Sequence, residues 1–113
     1  MTARITAHQV LVKARALIND PKHWTADAFA KAGSGLMVSP RSSKAVCWCA
    51  DGAIQRAAWA TISDAKERAR WTLDDVARAE HGASYAGVND ELGHEAIIGV
   101  FDLAIERLGG DTP

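Results

Sequence analysis

The sequence predicts an α+β domain that is mainly α, with about four helices packed around a central apolar helix (about 47–60) and a small β-hairpin (about 28–38). Three observations carry that expectation. Apolar residues recur at helical spacing over three stretches, about 6–18, 64–81 and 93–108. The stretch Val46–Ala60 is apolar nearly all round, as a helix buried on every side would be. Between residues 28 and 38, two short apolar runs flank Gly33-Ser34-Gly35, the pattern of a hairpin with a loose loop.

The first helix is expected from about Thr6 to Ile18, with Val10, Leu11, Ala14, Leu17 and Ile18 on one face. Asn19-Asp20-Pro21 ends it, because the residue before a proline is pushed out of the α region. His23-Trp24-Thr25 leads into the hairpin; a helix over Thr25–Lys31 is the alternative, since that run has good helix propensity. Ser39–Lys44 reads as a polar loop. In the central helix, Asp51, Gln55 and Arg56 are the polar exceptions. Asp64 with Glu67 resembles a capping box for the next helix. That helix carries a stripe of Ala65, Ala69, Leu73, Val76 and Ala77, which leaves Trp71 on the far side. Either the helix breaks at Thr72, or Trp71 is at the surface as a contact for a partner, or loops of the chain cover it. Gly82 stops the helix. After a connector over 83–90, the last helix runs from Gly93 to Leu108 with Ile97, Ile98, Phe101, Ala104, Ile105 and Leu108 inward, and Gly109-Gly110 terminates it.

The 113 residues, 48% hydrophobic and 24% charged, suit one compact domain over 1–113 with short flexible ends (about 1–5 and 109–113). No stretch approaches the roughly 20 apolar residues of a membrane span, and the first residues lack the apolar block of a signal peptide, so a cytoplasmic location is expected. The net charge of −1 hides an asymmetry: residues 1–70 hold 11 basic and 5 acidic residues, and residues 71–113 hold 2 and 9. Opposite halves can attract across the fold. The bases are scattered rather than clustered, so nucleic acid is not an expected partner. Cys47-x-Cys49 is too little for a disulfide framework, and with His23, His81 and His94 scattered it lacks the spacing of a zinc site. Free, buried thiols behaving as small hydrophobes, and no metal or cofactor, are the expectation.

Four stretches, taken together, resemble a known pattern. His23-Trp24-Thr25, then Cys49-Ala50-Asp51-Gly52-Ala53-Ile54, then Val88-Asn89-Asp90, then a last helix ending Leu103-Ala104-Ile105-Glu106-Arg107-Leu108 are similar to a family of short bacterial and phage-associated proteins catalogued only as a domain of unknown function. The resemblance covers about residues 6–108 in order. Val88 stands where that family often has Trp, and Lys22-His23 where glycine is common. The resemblance implies the hairpin rather than a helix at 28–38, and it implies no activity, cofactor or substrate.

Two residues stand out chemically. Asp51 is a carboxylate on a helix with little polar surface; burying it costs several kcal/mol unless it is paired, which an arginine or a loop cap would achieve. His94 falls in the apolar stripe of the last helix, close to Asn89 and Asp90, and a hydrogen-bonded core histidine is its simplest role. If the two helices cross there, Asp51, Asn89, Asp90 and His94 would form a polar pocket able to do acid–base work. Phosphate loops, dinucleotide fingerprints, metalloprotease and nucleophile-elbow motifs are absent. The expected function is therefore a small soluble accessory or binding protein without catalysis of its own, with a second copy or another protein as partner. A small enzyme using the Asp51/Asn89/His94 region is the alternative.

Overall fold

In the computed structural model, which describes residues 5–59 and 64–109, helix α1 (Ala7–Ile18) opens with a complete capping box. The Thr6 hydroxyl accepts from the Gln9 amide and the Gln9 side chain accepts from the Thr6 N–H. Val10, Leu11, Ala14 and Ile18 are fully buried on its inner face. Asp20 then caps a short 3₁₀ turn, Pro21–His23, that uses proline at its first position. The chain continues through strand β1 (Ala30–Ala32), strand β2 (Ala45–Trp48), helix α2 (Ala50–Ala57), helix α3 (Ala65–His81), a single turn α4 (Tyr85–Gly87), a π turn over Val88–Leu92, and helix α5 (His94–Gly109). The fold is α+β and mainly α, as the sequence predicts.

The expected central helix is divided. Residues 45–48 are strand, and α2 begins only at Ala50, with Cys49 as its N-cap. The all-round apolar pattern came from joining two elements that bury different faces: in β2 Trp48 is buried and Val46 exposed, whereas in α2 Ala50, Ala53 and Ile54 point inward. Trp59 lies beyond the end of α2, 59% exposed, with the Arg41 guanidinium 5.6 Å from its ring centroid. The helix at the middle of the packing is α1, which lies against α2, α3 and α5. One core runs through all of them, with Phe101, Leu11, Ile18, Ile54, Leu73 and Ile97 as its largest fully buried members. The Arg15–Asp102 ion pair ties α1 to α5 and is one instance of attraction between the basic and acidic halves.

The turn at Gly33-Ser34-Gly35 forms, but it is only the outer part of the sheet. Gly35 adopts φ +91°, Ala32 donates to Leu36, Val38 donates to Ala30, and a lone bridge joins Lys31 to Met37. The ladder proper pairs β1 antiparallel with β2, across a loop that Trp48 and Arg56 hold through the carbonyls of Pro40 and Ser42. On the other edge of β2, the Thr25 N–H donates to the Trp48 carbonyl.

Helix α3 is continuous through Thr72, whose hydroxyl bonds the Arg68 carbonyl one turn back. Trp71 is consequently at the surface, 69% exposed, and no loop among the described residues covers it. The expected capping box is not made: the Asp64 side chain makes no cap hydrogen bond, and Glu67 instead pairs with Arg70. Gly82, at φ +68°, ends α3 in the left-handed conformation. Of the ends expected to be flexible, residues 1–4 and 110–113 lie outside the described residues, as does the end of the expected central helix at Ala60; Ile5 packs against the core. No helix among the described residues is long and apolar enough to cross a membrane.

Candidate functional site

Extended backbone at Cys49 sets up the site. The Cys49 N–H donates to the Phe29 carbonyl, and its thiol sulfur accepts from the Gly52 N–H at 3.3 Å, an N-cap made by cysteine. Such close approach of the 29–30 backbone to α2 depends on Gly52, where a Cβ would stand 1.9 Å from the Phe29 oxygen.

Asn89 locks the neighbouring segments together. It is 1% exposed and uses both ends of its amide. The oxygen accepts from the Trp24 indole at 2.8 Å and from the Ala50 N–H at 3.0 Å. The nitrogen donates to the Thr25 carbonyl and to Asp90 Oδ1. Asp90 Oδ1 also accepts from the Asp27 N–H at 3.0 Å. Asp27 is the one non-glycine residue with positive φ, +63°, among the described residues; an aspartate tolerates this conformation better than most residues do. The π turn aims Asn89 inward, and Gly93 at φ +97° closes it through a bond to the Val88 carbonyl. Irregular turns of this kind are frequent at functional sites.

Around this junction lies a cavity of about 550 Å³, lined by Asp27, Ala28, Phe29, Met37, Cys49, Ala50, Asp51, Ala86, Asn89 and Asp90. Three of the four residues singled out in the sequence, Asp51, Asn89 and Asp90, are thus brought together. His94 is not. Its Nε2 lies 2.7 Å from the Ile18 carbonyl and its ring meets Trp24 edge-on at 5.7 Å, so it supports the back of the Asn89 cluster through the Trp24 indole.

Asp51 finds the arginine partner that its burial requires. Arg70 approaches both carboxylate oxygens, at 2.9 and 3.3 Å, Gln55 donates at 2.9 Å, and the Tyr85 hydroxyl donates at 2.6 Å. Burial by itself would raise this carboxyl, but the bonds from Tyr85, Gln55 and Arg70 outweigh it and hold Asp51 below the usual carboxylate range. Burial, and then the bond to Asp51, push the Tyr85 phenol well up. Burial also raises the Cys49 thiol; the backbone N–H groups of Gly52 and Asp51 oppose that rise, and the negative charges of Asp51 and Asp90 add to it. Cys49 therefore stands as a thiol and not as a thiolate nucleophile. Cys47 points elsewhere, with its thiol 3.9 Å from the Lys31 carbonyl. No three metal-ligating side chains gather within reach of one ion among the described residues.

Sequence reasoning missed Tyr85, Arg70, Asp27, Phe29 and Met37. Tyr85 sits in a connector with no periodicity, and Asp27 and Phe29 belong to a loop whose shape is set by Asn89, more than sixty residues away. A signal did exist for Asp51, a lone carboxylate needing a cation.

The chain belongs to a family of unknown function, DUF6197, matched over residues 2–107. No curated protein and no solved structure matches it.

Proposed function

We propose that this chain is a small soluble, cytoplasmic binding protein without catalysis of its own, and that its ligand occupies the cavity at the Asn89 junction. One observation carries the reading: a cavity of about 550 Å³ whose floor is a fully hydrogen-bonded, buried amide and whose mouth is flanked by exposed Phe29 and Met37. Small-molecule sites are of this size and combine apolar walls with a few fixed polar groups. The acid–base alternative needs a proton to pass between Asp51 and His94. Arg70 and Tyr85 hold Asp51 ionised, and the His94 nitrogen is engaged at the Ile18 carbonyl, so the binding reading is favoured.

Titrating small fragments into isotope-labelled protein and following the amide NMR signals tests this. Binders should shift the signals of residues 27–29, 37, 49–51 and 86–90 together. Fragments that bind only elsewhere would refute the proposal. A separate contact, with a second copy or another protein, is proposed for exposed Trp71.

A further inference from the structure

The geometry points to a ligand class for this cavity: we infer that it takes a small organic cation, an ammonium or guanidinium on a compact apolar body. This rests on the binding reading above and adds to it the charge of the ligand. Three carboxylates line the cavity, and no lysine, arginine or histidine does among the described residues. Arg70 answers the charge of Asp51 from outside the lining. Asp90 offers one oxygen to the Asp27 and Asn89 N–H groups, and its other oxygen and the Asp27 carboxylate receive no hydrogen bond among the described residues. Two carboxylates at one mouth therefore favour a cation and repel an anion.

The remaining lining is apolar: Ala28, Phe29, Met37, Ala50 and Ala86. Phe29 and Met37 are 56% and 74% exposed, large apolar side chains left bare beside carboxylates. An aromatic face and a polarisable thioether are the apolar surfaces that a cation tolerates best. The same field is felt at Cys49 on the cavity wall, where burial raises the thiol and the charges of Asp51 and Asp90 raise it further. A free amine is favoured over a basic side chain of a partner chain because a space of about 550 Å³ is of small-molecule size.

Calorimetric titration of the full chain with phenethylamine, phenethyl alcohol and phenylpropionate tests the assignment. The amine should bind at least about tenfold more tightly than the neutral alcohol, and the carboxylate should not bind. Asp27→Asn combined with Asp90→Asn should abolish the preference for the amine over the alcohol. Because that variant perturbs the Asn89 cluster, salt gives a second measure on the unaltered chain: raising ionic strength to about 0.5 M should weaken the amine and not the alcohol. Equal binding of amine and alcohol would overturn the cation assignment and leave the binding function standing. Binding of none of the three would overturn both. A capped lysine peptide binding more tightly than phenethylamine would overturn the assignment to a free amine.

Discussion

Asn89 makes four hydrogen bonds from a buried amide, to Trp24, Thr25, Ala50 and Asp90. Asn89→Ala leaves the indole, the first amide of α2 and a buried carbonyl without partners. At roughly 1–3 kcal/mol for each orphaned group, a loss of about 3 kcal/mol or more is expected in chemical denaturation. Asp51 gives a prediction with a pH sign. Its carboxyl lies below the usual range in the folded chain, so its contribution is present above the unfolded value of about 3.9 and is lost as pH falls through the folded value. Asp51→Asn should cost about 2 kcal/mol at neutral pH and flatten the acid limb of stability. A variant with the same steep loss below about pH 4 would assign that limb to other carboxylates.

Among the elements, those with a local signature were legible. Helix α1, helix α5 and the Gly82 stop follow from periodicity and cap chemistry within a few residues. The Gly-Ser-Gly turn was legible too, but its strand partner was not, because β1 pairs across a long loop with residues that also satisfy a helical pattern. The start of α2 was obscured because its cap is a cysteine, which is not a usual capping residue. Of the site, Asp51, Asn89 and Asp90 were legible as polar residues in apolar settings. Asp27 and Phe29 were not, since long-range hydrogen bonds position their loop. The junction of α2 with the 29–30 backbone predicts a contrast between two glycines. Gly52→Ala drives a methyl into the Phe29 carbonyl and should cost about 2 kcal/mol or more. Gly99→Ala, on the exposed face of α5 with nothing within 4 Å of the new carbon, should stabilise by about 0.5–1 kcal/mol. Thermal unfolding of the two variants checks both signs.

For the whole molecule, the core of α1, α2, α3 and α5 accounts for the apolar stripes, while Trp71 and the cavity mouth are among the exposed apolar surfaces that this packing does not use. As a surface residue, Trp71 should tolerate replacement by alanine within about 0.5 kcal/mol. If it mediates the proposed contact between copies, sedimentation equilibrium should show a concentration-dependent dimer that Trp71→Ala shifts to monomer; an unaltered chain that stays monomeric throughout would direct that surface to another protein. The central claim is that the Asn89 junction receives a small organic cation, and the structure of the chain with phenethylamine bound tests it most directly. The account predicts the ammonium within hydrogen-bond reach of Asp27 or Asp90 and the ring against Phe29 or Met37. An empty cavity at saturating amine, or an amine bound elsewhere, would contradict it.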